Sequence, residues 1–458
     1  MVPLEGPVDA TVRVPGSKSL TNRALVCAAL ADGRSVIDGA LIADDTEAMI
    51  VALQALGAGI EVMPSTGRME VVGTGGTLRP GPIDLNVHQS GTTARFLLPV
   101  VALGAGRYLV DGAPSLRARP MGPALAAIRG LGATVEPGHT GGSDAGVEPE
   151  DAHAAGAAPQ PGDTRASGSQ SQDQLDSLPV VVVAPGGLEG GKVAVAGDVS
   201  SQFLSGLLLA APYTRGGVRV EVTTQLVSRP YVDLTVAVMA AFRVAVERRG
   251  DAAFVVPVGR YRATTYWVEP DASSASYFLA AAAICGGRVT IEGLGASSVQ
   301  GDARFADLLA RMGVQVERAA DRTTVVGPPG RLRGLGDIDL RELPDMAPTL
   351  AAVAVFADRP TQVRGVGFIR HHETDRIAAV VRELRRCGID ADEEPDGFVV
   401  RPGRPRPARI ATYDDHRMAM SFALLGLRAP GIEIANPNCV AKTFPTFWQA
   451  LDGLYRAA

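Results

Sequence analysis

Cysteine is scarce in this chain of 458 residues: Cys27, Cys285, Cys387 and Cys439 are the only four, and no two form a CxxC pair. That spacing excludes a zinc ribbon and a disulfide framework, and it suits a reducing compartment. Aromatic residues are sparse as well, at 5%. No run approaches the ~18 uninterrupted apolar residues of a membrane helix. The opening MVPLEGPVDATVRVPGSKS has neither a basic start nor an apolar stretch, so no secretory leader is expected. Nor is there an excess of positive charge: 44 Lys and Arg stand against 49 Asp and Glu, net −5, which speaks against a dedicated nucleic-acid binder. With 46% hydrophobic and 20% charged residues, the composition fits a globular protein of two or three domains with a large core.

One segment differs. Residues 137–177 hold seven acids, one Arg, four Pro and seven Gly, with Val147 and Leu175 as their only sizeable apolar side chains. Such a stretch buries too little surface to offset its ordering entropy, so a mobile acidic loop is expected. It separates the strand-like GATVEP and LPVVVVAP, which suggests a hairpin with an insertion at its tip.

The remainder repeats. PGSKSLTNRALVCAALADG, HQSGTTARFLLPVVALGAG, DVSSQFLSGLLLAAPYTRG, PDASSASYFLAAAAICGG, LPDMAPTLAAVAVFADRP and YDDHRMAMSFALLGLRAPG share one grammar. A polar start leads into an apolar helix, usually closed by a Gly turn. Anchored on Ser19, Ser90, Ser201, Ser273, Asp345 and Asp415, the gaps are 71, 111, 72, 72 and 70 residues. Removing the 41-residue insertion brings the long gap to 70. Interleaved with these are LQALGAGIEV, IRGLGATVEP, LLARMGVQVER and LRRCGIDADEE, each a helix ended by Gly and followed by a strand. AAFRVAVERR is a fifth copy without the Gly. Six α+β units of about 70 residues, grouped three and three, predict two similar domains.

The first helix of each unit is almost wholly apolar, so it should be buried, with its polar groups gathered at its N-terminus. Free backbone N–H groups there favour anions. Ser and Asp at such starts are ordinary caps. Several starts carry more than a cap needs: Lys18, Ser19 and Arg23; Gly91, Thr92 and Arg95; Ser200, Ser201 and Gln202; Asp415, His416 and Arg417. Arg119, Arg376 and Lys442 add cations at strand and helix junctions, where loops build sites. Asp345 heads an apolar helix, and Glu373 falls one helical turn before Arg376. Each has a bland role, as cap or ion-pair partner, and a chemical one, as base or acid among cations. If the helix starts face one cleft, a polyanionic small molecule is its natural occupant.

In order along the chain, PGSKSLTNRAL, SGTTARF, SLRARPMG, SSQFL, SRPY, LPDMAPT, HETDR, DDHRMAM and AKTFP closely resemble the 5-enolpyruvylshikimate-3-phosphate synthase family. The resemblance runs from about Val8 to Trp448, omitting 137–177. It implies an α/β (α+β) fold, an inside-out α/β barrel of two similar domains. Each domain would have three βαβαββ-type repeats about a pseudo-three-fold axis. One domain would span 18–268 and the other would join 1–17 to 269–458, with the site in the cleft between them. The implied reaction moves the enolpyruvyl group of phosphoenolpyruvate onto the 5-hydroxyl of shikimate 3-phosphate, releasing phosphate. That is a transferase step toward chorismate and the aromatic amino acids. It implies no metal or organic cofactor, no nucleic-acid or membrane partner, and a cytoplasmic monomer.

Carried over by motif, Lys18, Ser19, Arg23, Ser200, Ser201, Gln202, Ser228, Tyr231, Asp345 and His372 would hold shikimate 3-phosphate. Lys18, Gly91, Arg119, Gln202, Arg376, Arg417 and Lys442 would hold phosphoenolpyruvate. Asp345 would accept a proton and Glu373 would donate one, with Lys18 and Lys442 taking part and Asp45 and His416 in support. The chain departs from the family pattern at His372, where Lys is common, near Phe368, where Asn is frequent, and at Ser90-Gly91, commonly Ala-Gly. Two rivals remain. The sister UDP-N-acetylglucosamine enolpyruvyl transferase carries a reactive Cys in a loop corresponding to about 106–120, which has none here, and a Lys-Asn pair that SKSLTNR lacks. A non-catalytic anion-binding protein would have little need of both Asp345 and Glu373.

Overall fold

The computed structural model describes residues 1–138 and 176–456. The expected acidic loop lies outside the described residues except at its ends, where Thr134–Pro137 and Val180–Pro185 pair as an antiparallel hairpin. Residues 83–185 display the repeat in full. Strand Ile83–Asn86 leads through helix Gly91–Val101 to a parallel strand, Ala105–Asp111. A second helix, Gly122–Gly130, then precedes the hairpin, which pairs antiparallel with Ala105–Asp111. Five sheets share this order of one parallel and two antiparallel pairings, while the last repeat keeps only the parallel pair Ala408–Ile410 with Ile432–Ile434 among the described residues.

Helices occupy the inside and sheets the outside. All of Ala272–Cys285 is buried, whereas strands such as Val180–Pro185 alternate between buried and partly exposed positions, one face toward the helices. Lys18–Leu30, Gly91–Val101 and Ser201–Ala210 pack on one another, as do Ala272–Cys285, Ala347–Ala354 and His416–Gly426. Small residues permit the approach: a Cβ on Gly206 would lie 2.3 Å from the Arg95 carbonyl oxygen.

Two hydrophobic cores result, one within Leu20–Val268, the other joining Val8–Val14 to Ala272–Leu454. Between them the chain crosses twice at one place. Gly16 bridges to Pro270, Ser17 N–H donates to Glu269 O at 2.8 Å, and Asp271 N–H donates to Pro15 O at 2.8 Å. Each lobe takes in the strand next to the crossing: Val8–Val12 pairs with Gly287–Glu292 in the second lobe, and Thr265–Trp267 with Arg34–Asp38 in the first.

The outer helices end alike. Gly57, Gly132, Gly313 and Gly388 each take a positive φ, and the next N–H reaches five residues back, as Ala58 does to Leu53 O. In the copy without Gly, Arg243 adopts φ 70° and Val244 N–H bonds Met239 O, the same closure in a side-chain-bearing residue.

Candidate active site

The buried helices place their N-termini around one interlobe cavity of about 80 Å³. Of the eighteen candidate residues, all line it except Ser19 and Lys442. A wider polar cleft of about 790 Å³ shares Asp45 with the cavity and also reaches Lys442, but it contains neither Asp345 nor Glu373, so the acids and most cations lie in the smaller space.

From the first lobe, Lys18 opens helix Lys18–Leu30 and pairs with buried Asp45 at 3.1 Å. Ser19 is turned by about 100° around the helix and lines a separate crevice with Ser17 and Asp271. Arg23 spends its guanidinium largely on protein: Thr235 Oγ1 at 2.7 Å, Ser19 O at 2.9 Å and Tyr231 O at 3.0 Å. Gln202 accepts from Arg95 at 2.8 Å and donates to Thr92 Oγ1 at 3.3 Å, linking the second and third helix starts. Thr92 and Arg95 thus join the site although the family motifs did not assign them. Gly91 leaves room for Arg119, whose Nη1 would stand 3.1 Å from a Cβ there. Ser200 caps its helix by accepting from Gln202 N–H, with Ser201 beside it at the cavity.

From the second lobe, Arg376 is the hub. Its guanidinium bonds Asp345 at 2.9 Å, Glu373 at 2.7 Å and Asp415 at 2.7 Å while only 1% exposed. Asp345 lies in the one-turn helix Pro344–Met346, before Ala347–Ala354. It also takes Arg417 at 2.7 Å and, from the opposite lobe, the Tyr231 hydroxyl at 2.8 Å. Glu373 pairs with Lys442 at 3.2 Å and approaches Arg119 of the other lobe at 3.8 Å. The expectation that Glu373 shares a helical face with Arg376 is corrected: the helix starts at Arg376 behind its cap Asp375, and Glu373 precedes it in the loop, yet the ion pair forms. Lys442 closes the cleft, donating to Gln89 O at 3.4 Å with Asp45 at 3.8 Å.

The protonation states follow from these contacts. Burial works against the Asp345 carboxylate, but Arg417, Arg376 and His372 outweigh it and hold it well below the usual range. Burial likewise opposes ionised Glu373, and Lys442, Arg376 and Arg119 overcome it. His372, buried and beside Arg376, is pushed down to about 4, so it is neutral near pH 7 and supplies a hydrogen bond where Lys would supply charge. Burial and Lys18 depress His416 far below its ordinary value, and neither ring nitrogen has a partner among the described residues.

Backbone strain gathers here too. His88, Ser228, Tyr413 and Asp414, four of the five non-glycine residues with positive φ among those described, precede helix starts at the cleft.

A two-lobed inside-out α/β fold of separate open sheets, with anion-attracting helix starts and paired acids in its cleft, belongs to the enolpyruvyl transferase class of folds. An EPSP synthase (3-phosphoshikimate 1-carboxyvinyltransferase) structure from Acinetobacter baumannii superposes with a TM-score of 0.78 at 26% identity, covering 100% of this chain and 97% of that one. A sequence model of the EPSP synthase family matches residues 3–150 and 170–451. A 3-phosphoshikimate 1-carboxyvinyltransferase of Nostoc punctiforme is 44% identical across 97% of this chain and 96% of its own, and the chloroplastic protein of Solanum lycopersicum 40% across 97% and 82%. The chain belongs to the EPSP synthase family.

Proposed function

We propose that the protein transfers the enolpyruvyl group of phosphoenolpyruvate to the 5-hydroxyl of shikimate 3-phosphate, releasing phosphate. The observation that carries this is Arg376 holding Asp345 and Glu373 together among cations drawn from both lobes. Each substrate brings a carboxylate and a phosphate, so their meeting needs concentrated positive charge. Lys18, Arg119, Arg376, Arg417 and Lys442 provide it for phosphoenolpyruvate, with Gly91 and Gln202. Ser200, Ser201, Gln202, Ser228, Tyr231, His372 and Arg23 take shikimate 3-phosphate, together with Ser19, whose backbone carbonyl already orients Arg23. The domains divide at 17/18 and 268/269, where the paired crossings form the hinge.

The ion pairs suggest how the acids acquire their roles. An arriving phosphate and carboxylate compete for Lys442, Arg376 and Arg119, and every cation drawn away raises the proton affinity of Glu373. Glu373 then carries a proton to the methylene carbon while Asp345 takes one from the attacking hydroxyl. The closed lobes exclude water, which strengthens these interactions. No helix among the described residues is long and apolar enough to cross a membrane. The four cysteines are free thiols, in keeping with a reducing compartment. The test is phosphate release with phosphoenolpyruvate and either shikimate 3-phosphate or UDP-N-acetylglucosamine. Release with the nucleotide sugar alone, or with neither, overturns the assignment.

A further inference from the structure

One buried acid at the cleft has no place in the scheme above. Asp302, 5% exposed, sits in the turn Gly301–Arg304 of the second lobe. The Tyr231 hydroxyl, from the first lobe, lies 2.9 Å from Asp302 Oδ2 and 2.8 Å from Asp345 Oδ2. A phenol has one proton. It can bond one of the two carboxylates, and the second contact becomes a hydrogen bond only if a further proton is present. The two acids are not alike. Asp345 has Arg376 and Arg417 at 2.9 and 2.7 Å. Asp302 has no such pair: Arg417 reaches it only through Ser273 Oγ, 3.5 Å from the guanidinium.

We propose that Asp302 is a positioning residue that holds the substrate proton, receiving it from Asp345 through the Tyr231 hydroxyl. The inference rests on the reaction assigned above. The bookkeeping closes with one proton. The O–H bond of the attacking hydroxyl breaks and an O–H bond forms on Asp345. Asp345 then gives its proton to Tyr231 Oη as the original Tyr231 proton passes to Asp302 Oδ2. The net change is one proton moved from substrate to Asp302, with Asp345 and Tyr231 restored. The direction is downhill: Arg417 and Arg376 make Asp345 a poor keeper of a proton, whereas burial and then the neighbouring Asp345 charge push Asp302 up to about 6. The charged and titratable groups facing Asp302 are Asp345, Arg417, Tyr231 and Asp271, the last across a crevice of about 10 Å³, room for at most one water. Arg304 is turned away toward Glu342 at 3.0 Å. Because Tyr231 comes from the opposite lobe, the path exists only when the lobes meet.

Asp302→Asn keeps the shape but cannot accept a proton. Its kcat should fall by at least about 100-fold, and the acid limb of the wild-type kcat profile, centred near pH 6 where Asp302 fills before turnover, should disappear. Tyr231→Phe should lose a similar factor in kcat, and the double variant no more than either single one. A carboxylic-acid carbonyl band should grow in the infrared spectrum of the wild type between about pH 7 and 5 and be missing from Asp302→Asn. A profile for Asp302→Asn that keeps the limb, or a band that persists in it, overturns the proposal. If the wild type releases no phosphate from shikimate 3-phosphate and phosphoenolpyruvate, the reaction assignment fails, while the infrared titration still decides whether Asp302 holds the proton.

Discussion

Removing Arg376 tests whether the acids depend on this one guanidinium. In Arg376→Met, Asp345 keeps Arg417 at 2.7 Å and the Tyr231 hydroxyl, and Glu373 keeps Lys442 at 3.2 Å. Asp415 fares worst. It is fully buried, and apart from Arg376 its near contacts are the Arg417 backbone N–H at 2.8 Å and His416 at 3.7 Å, a ring that burial keeps neutral. Leaving one buried carboxylate without its cation costs about 3–5 kcal/mol, a large share of the ~5–15 kcal/mol that stabilises a typical domain. Urea unfolding followed by circular dichroism at about pH 8 should register that loss. Near pH 5 the gap should narrow, because a stranded acid raises its folded-state proton affinity and its penalty vanishes as protons bind. Adding Asp415→Asn should recover more than half the deficit. Arg376→Lys should recover part of the stability but little activity, since one ammonium cannot span three carboxylates. A variant within about 1 kcal/mol of wild type at pH 8, or an equal gap at both pH values, would refute the account.

Other substitutions probe separate links. Lys18→Met should lower kcat/KM by at least about 100-fold, the usual cost of one preorganised donor, and, because it takes the 3.1 Å partner from buried Asp45 and leaves it only Lys442 at 3.8 Å, it should also lower the melting point of a protein that still folds; normal turnover would remove Lys18 from the site. Gly206→Ala should destabilise the first lobe by roughly 1–3 kcal/mol, because its Cβ would meet Arg95 O at 2.3 Å; unchanged urea unfolding would show that the helices can part. Arg243→Gly should stabilise by up to about 1 kcal/mol, relieving a left-handed residue where the other copies have Gly; a loss would mean the Arg side chain contributes more than its backbone costs. Asp302→Asn should be more stable than wild type above pH 6 and equal to it near pH 4. The raised proton affinity, from 3.8 to about 6, means stability is lost as pH climbs through that window, by at most roughly 3 kcal/mol.

What was legible in the sequence was local and repeated. Ser90, Ser200 and Asp415 cap their helices within three residues, so the signal survives in the one-dimensional text, and its period exposes the repeat. The helix ends at Gly57, Gly132, Gly313 and Gly388 were visible because a left-handed closure selects one residue type. The strand partners at the crossing were not. Thr265–Trp267 and Val8–Val12 are short, and nothing in three or five residues says which strand of their lobe they join; only the family resemblance assigned the lobes. That Glu373 lies in the loop before helix Arg376–Arg386 was not legible either, because His-His-Glu-Thr-Asp carries no break and only the Asp375 cap distinguishes loop from helix. Asp302 escaped notice for a different reason. An acid after Gly before an apolar helix looks like any cap, and its role comes from Tyr231, 71 positions away in the other lobe.

The paired acids explain why two lobes are needed at all. Within the second lobe Arg376 and Arg417 already satisfy Asp345, and Arg376 and Lys442 satisfy Glu373, so neither is inclined to exchange a proton. The first lobe adds Arg119 and Lys18, which let arriving anions compete for the cations of the second lobe without leaving a bare excess of negative charge, and Tyr231, which bridges Asp345 and Asp302. Lobe closure and substrate charge therefore act on one quantity, the share of positive field each carboxylate keeps. A substrate analogue with the phosphate but not the carboxylate should close the lobes less completely, because it draws away fewer cations. Scattering that finds equal compaction with both ligands would contradict this coupling.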